Sequence, residues 1–217
     1  MTAEVNQQSY YYRTSLVDSC GNEVLTTAPM RTILLEGEKI DAQKISLGWN
    51  AFEGWPEGVG EYKVYRALNA TGSFQAIGTT QAGNLTFEDD IAMLSGQTNQ
   101  VRYIIGAFRN QHPNFTSLSN EVLFEFAPSL FLPNAFTPGG RNPVFKPVGT
   151  FAQFTEYRMD IYNRWGELVF TSQDFGEGWD GSYKGDIAPS GAYVCVLFYR
   201  SSAGQEETLK QSFVLIR

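Results

Sequence analysis

The sequence predicts an all-β protein, two tandem antiparallel β-sandwiches preceded by an N-terminal β-hairpin. Three observations carry that expectation. Glycine (21) and proline (9) cut the 217 residues into many short apolar runs, the punctuation expected of strands joined by turns. Within those runs apolar and polar residues alternate, which is the period of a half-buried strand. No window repeats apolar residues at the spacing of three and four that an amphipathic helix needs. The 16 Phe and 11 Tyr also suit a pleated surface. The length admits one or two domains, each able to bury a core.

The first segment reads as part of a repeat. Tyr10–Asp18 aligns with Val101–Arg109 when Tyr12 is laid on Tyr103, and Met30–Leu35 falls on Val122–Ala127 after one residue of loop difference. A period of about 90 residues is the size of one sandwich domain. Residues 1–36 are therefore expected to be the last two strands of a preceding copy. Alone, such a hairpin cannot bury its apolar face. It has to pack on the next domain or stay loosely ordered.

Residues 37–128 read as a complete copy. Ile45, Leu47 and Trp49 alternate with Ser46, Gly48 and Asn50, a strand with one buried face. Tyr62 and Val64 continue the pattern after the turn-rich stretch Glu53–Gly58. Short strands follow at Phe74–Thr79 and Leu85–Phe87, with Asp89 and Asp90 read as turn residues behind them. Val101, Tyr103, Ile105 and Ala107 form another inward row, and Val122, Phe124 and Phe126 close the sandwich. This order of elements resembles the fibronectin type III domain, a relative of the immunoglobulin-like fold. Trp49 stands where that family has its core tryptophan, and Tyr103 where it has the tyrosine of its corner motif. Ala127–Leu130 is expected to be a short linker.

Residues 129–217 read as a second sandwich. Tyr157, Met159 and Ile161 oppose Arg158 and Asp160, Asn163–Gly166 supplies a turn, and Leu168 and Phe170 return from it. From Tyr193 to Tyr199 both faces are apolar or aromatic, as in a central strand covered on both sides. Ser201–Gln205 turns into a last strand in which Leu209, Phe213 and Leu215 share a face.

Five motifs stand here in a fixed order: Leu130–Pro138, Ile161–Phe170, Gly178–Gly181, Ala188–Tyr193 and Val214–Arg217. Their series resembles the gliding motility-associated C-terminal domain, the type B sorting domain of the Bacteroidetes type IX secretion system. The resemblance implies a sorting signal that is not a catalyst. It implies passage through the periplasm to the cell surface or the medium. The partners it implies are the outer-membrane type IX machinery and an associated outer-membrane partner protein. The candidate recognition residues are Asn163, Arg164, Trp165, Gly166 and Glu167 in one turn, Trp179, Asp180 and Gly181 in a second, Pro189, Ser190 and Gly191 in a third, and the terminal Arg217. The last strand, Ser212–Arg217, is expected to offer unpaired backbone groups to a partner. The family's acidic stretch after Thr-Pro is missing, because Thr137–Phe145 contains no carboxylate. Met1–Gln8 lacks the basic and apolar regions of a signal peptide, so the chain is expected to be part of a longer exported protein.

Composition narrows the remaining classes. A net charge of −7 and a pI near 4.8 argue against nucleic acid and against anionic membrane surfaces. Cys20 and Cys195 are too few for a disulfide framework, and read as a loop thiol and a buried small hydrophobe. The single histidine, His112, reads as a solvated loop residue, and no nucleophile motif or phosphate loop is present. Asp180–Asp186 fails as a calcium loop because Lys184 takes a ligand position. No cofactor and no metal are expected, and the chain is expected to be a monomer. The alternative function is a carbohydrate-binding or adhesin module for surface glycans, using exposed aromatics. For that role Trp55 is expected to be exposed, with Trp165 and Trp179 packed away.

Overall fold

The computed structural model describes residues 4, 6–202 and 204–217. Its contacts divide the chain into two compact units, one of residues 1–93 with 100–125 and one of residues 94–99 with 126–217. Apart from a single 3-10 turn at Ala92–Leu94, the regular structure among the described residues is β.

The first unit opens with a narrow ribbon. β1 (Tyr11–Tyr12) pairs β4 (Met30–Arg31), and β2 (Ser15–Val17) pairs β3 (Glu23–Thr26), all antiparallel. The sandwich follows. One layer is β5 (Leu35–Lys39), β6 (Lys44–Trp49) and β9 (Thr86–Asp90). The other runs β8 (Gln75–Gln81), β7 (Val59–Leu68), β10 (Gln100–Arg109) and β11 (His112–Leu118), with β12 (Val122–Glu125) also paired to β10.

The alternating rows meet between these layers as the pattern requires. Leu35, Ile45, Leu47, Tyr62, Val64, Val101, Tyr103 and Ile105 are all buried. Trp49 stands edge-on to Tyr62 with ring centres 5.7 Å apart, a favoured aromatic geometry.

Three expectations for this unit need correction. Asp89 belongs to β9, not to a turn, and is buried. Its carboxylate accepts bonds from Arg66 Nη1 at 2.8 and 2.9 Å and from the Tyr103 hydroxyl at 2.6 Å. An ion pair and a hydroxyl together satisfy the buried charge. Tyr103 is therefore core, but its hydroxyl crosses to the facing layer and not to nearby backbone. His112 opens β11 and does not lie in a loop. Pro113 is tolerated there because β11 is an outer strand, where a missing N–H costs no ladder bond.

The second unit centres on one five-stranded sheet. Its order is β14 (Ala135–Phe136), β21 (Glu206–Leu215), β20 (Gly191–Ser201), β16 (Phe154–Asn163) and β17 (Leu168–Ser172). Over it lie β13 (Ser129–Phe131) paired with β15 (Val148–Thr150), a bridge between Phe145 and Trp179, and β18 (Ser182–Tyr183) paired with β19 (Asp186–Ile187). The core is aromatic: Phe145 stacks on Phe213 at 3.7 Å, and Trp179 leans on Tyr193 at 4.9 Å.

Here too the structure revises details. Ser129 and Leu130 lie in β13 and are not linker. β20 is central as expected, but its outward row, with Val194, Val196 and Phe198, is only half-buried. The last strand is not an open edge at its end. β14 runs parallel beside it, Val214 donates to the Asn134 carbonyl at 3.0 Å and Ile216 to that of Phe136 at 3.0 Å.

Candidate functional site

The turn between β16 and β17 is built by Asn163. Its side-chain oxygen accepts the backbone N–H of Trp165 and of Glu167, each at 3.0 Å, a side-chain mimic of a backbone turn. Gly166 closes the turn at φ 80°, a left-handed conformation that costs glycine nothing. The tight geometry drives Trp165 outward, and it is 70% exposed. The Arg164 guanidinium lies over its ring at 4.2 Å.

Glu167 fastens this turn to the β18–β19 hairpin. Its carboxylate accepts from Asn163 Nδ2 at 3.0 Å, from the Tyr183 hydroxyl at 2.5 Å and from Lys184 Nζ at 3.1 Å. Those donors, Tyr183 first, hold its pKa below the usual carboxylate range. The next turn is held by Asp180, which accepts the Ser182 hydroxyl at 2.6 Å and its N–H at 2.9 Å. The same two bonds lower the Asp180 pKa. Beneath it Trp179 is buried and donates its indole N–H to the Ser182 carbonyl at 2.7 Å.

The third turn closes the cluster. Pro189, Ser190 and Gly191 border the same shallow dimple as Asn163, Arg164 and Trp165. The Tyr193 hydroxyl donates to the Pro189 carbonyl at 2.7 Å. Arg217 donates to the carbonyls of Ile187 and Ala188 at 3.2 and 2.8 Å. Twelve residues scattered over the last fifty-odd positions thus meet at one end of the second unit. Arg164, Trp165, Pro189, Ser190 and Arg217 are exposed there, while Trp179 and Gly181 are buried supports.

The exposure of the tryptophans reverses the expectation for two of them. Trp55 is half-buried and leans on Phe52 with ring centres 4.4 Å apart, whereas Trp165 is the exposed one. Trp179, like the core Trp49, packs away as predicted. Sequence reading also passed over Lys184 and the exposed Ile187 as members of this end. Nothing in the local sequence links Lys184 to Glu167, because the link runs between two turns.

Elsewhere the candidate chemistry is quiet. A concavity of about 670 Å³ lies on the outer face of the large sheet, lined in part by Arg158, Asp160, Val196 and Phe198. Its carboxylates are already taken, since Asp160 accepts from Arg158 Nε at 3.1 Å and from Thr171 Oγ1 at 2.7 Å, and Glu156 pairs with Arg200 at 3.0 Å. Among the described residues, no three His, Cys, Asp or Glu side chains gather as metal ligands.

Residues 130–216 match the CHU_C type IX secretion signal domain. That match covers the sandwich carrying the three turns, and the matched family is one of non-catalytic sorting domains. The signal domain implies interaction with the secretion machinery, and export through the outer membrane to the cell surface or the medium. No curated relative matches the chain.

Among solved structures, the chain is similar to the tetra-tandem repeat in the extending region of a large adhesion protein. That pair shares 16% identity at TM-score 0.46, over 95% of this chain and 56% of the other. A segment of two fibronectin type III domains from chicken tenascin aligns at 13% identity and TM-score 0.38, over 83% of this chain and 97% of that one. Pectate lyase PelI from Erwinia chrysanthemi aligns at 21% identity and TM-score 0.33, over 42% of this chain and only 28% of the lyase. Likenesses this weak say nothing of activity.

Proposed function

We propose that this chain is a non-catalytic, exported region of a cell-surface protein. In it the signal domain is read by the outer-membrane type IX machinery, with an associated outer-membrane partner protein, and the fibronectin-like sandwich acts as a monomeric spacer. The match of residues 130–216 to the secretion signal family carries this reading. The surface that is read is the end built by the three turns and Arg217.

The physical support is pre-organisation. Glu167 and Arg217 tie separate loops to one another, so little freedom is left to lose on docking. Arg164 and Trp165 project from that rigid base, and arginine and tryptophan are the side chains that most often anchor interfaces.

The test is a fusion of residues 129–217 to a reporter in a bacterium that has this secretion system. Surface delivery of the reporter is expected, and periplasmic retention would overturn the sorting reading. A double variant, Arg164→Ala with Trp165→Ala, should keep the fold and lose most of the export. Export at wild-type yield would move the recognised surface elsewhere.

A second reading, glycan binding, draws on one observation, the exposed ring of Trp165. The guanidinium of Arg164 occupies a face of that ring, and Trp55 is half-buried against Phe52. Binding to a glycan array, lost in Trp165→Ala, would favour this reading over the first.

A further inference from the structure

The N-terminal ribbon repeats, in four of its five pairs, the register of the hairpin that closes the complete sandwich. In the ribbon Tyr11 faces Arg31, Tyr12 faces Met30, Ser15 faces Thr26 and Leu16 faces Leu25. In the sandwich Arg102 faces Leu123, Tyr103 faces Val122, Gly106 faces Leu118 and Ala107 faces Ser117. Adding 91 to the first partner and 92 to the second turns these four ribbon pairs into their sandwich counterparts, and the fifth, Val17 with Glu23, lies beyond a bulge and falls one residue out of step with Phe108 and Thr116. The returning strand even breaks at the same place. β3 stops at Thr26 and β4 resumes at Met30, as β11 stops at Leu118 and β12 resumes at Val122.

What differs is the covering. In the sandwich β10 has β7 along its other edge, and its inward row is buried. In the ribbon, among the described residues, β1 and β2 have no second neighbour. Their inward row carries Tyr12 at 45% and Leu16 at 61% exposure, with Val24 and Leu25 exposed on the returning strand. Apolar side chains are seldom left clustered in water on a two-stranded ribbon.

We propose that this ribbon is the closing hairpin of a preceding sandwich of the same type. The counterparts of β5 to β9 come from chain upstream of Tyr10 in a longer protein. An incoming strand equivalent to β7 pairs antiparallel with Tyr10–Asp18, and the layer equivalent to β5, β6 and β9 covers Tyr12 and Leu16. This inference is independent of the export reading.

The experiment compares two chains by hydrogen exchange and thermal unfolding. One is the 217-residue chain. The other is the same protein extended upstream by one such repeat, about 100 residues. In the extended chain the amides of Tyr11–Val17 should exchange at least tenfold more slowly, and one more cooperative transition should appear. Leu16→Asp should lower that added transition alone. Equal exchange in the two chains would overturn the proposal. So would dimerisation of the 217-residue chain that Leu16→Asp abolishes, because the face would then belong to a second copy.

Discussion

Tyr103, Asp89 and Arg66 form a polar knot between apolar layers. The hydroxyl bond at 2.6 Å ends on an ionised carboxylate, and such bonds contribute about 1.5–3 kcal/mol. Tyr103→Phe should lower the stability of the first unit by that amount in urea denaturation, with its fold retained. Glu167 is a different case, because its clasp lies in solvent. Its folded pKa is depressed, first by the Tyr183 hydroxyl and then by Lys184. The stabilisation it provides is therefore present above the ordinary carboxylate pKa and is lost as pH falls through the folded value. The amide resonances of Trp165 and Lys184 should shift as pH falls below the ordinary glutamate range, and in Glu167→Gln they should hold the acid position at neutral pH. Cys195 provides a third check. Burial pushes its thiol up to about 12, while Cys20 is exposed, so a thiol reagent should titrate one cysteine in the native protein and both after unfolding.

At the level of elements, the end of β21 matters most to the second unit. It is held by β20 on one side and by the parallel β14 on the other. Antiparallel neighbours could be read from alternation and turns. β14 could not, because a two-residue parallel strand has no period and its partner lies some eighty residues away. The loop above it depends on Gly181, at φ 85°, where a Cβ would sit 2.5 Å from Pro138 Cγ. Left-handed backbone costs other residues about 1–2 kcal/mol, and the contact adds to that. Gly181→Ala should therefore lower the unfolding free energy of the second unit by at least that much, and unfasten Lys184 from Glu167.

For the molecule as a whole, two compact units predict two unfolding transitions. Phe213 stacks on Phe145 at the centre of the second, and removing a buried phenyl costs about 3–5 kcal/mol. Phe213→Ala should lower one calorimetric transition and leave the other in place. Equal shifts in both would show that the units unfold together.

The alternating rows at Ile45–Trp49, Val101–Ala107 and Tyr157–Ile161 were legible because strand burial has a period of two, and local order alone sets it. The sorting resemblance was legible because its turns are short, contiguous motifs with glycine, asparagine and proline at defined places. Which tryptophan meets solvent was not, since that depends on how each loop folds: Phe52 turns back onto Trp55, while the turn at Asn163–Gly166 leaves Trp165 outward with only Arg164 over its ring. Nor was the place of Asp89, whose ion pair forms between two sheets. Backbone periodicity is a property of neighbouring residues, whereas exposure, charge pairing and the gathering of three turns at one end are properties of packing across long stretches of chain.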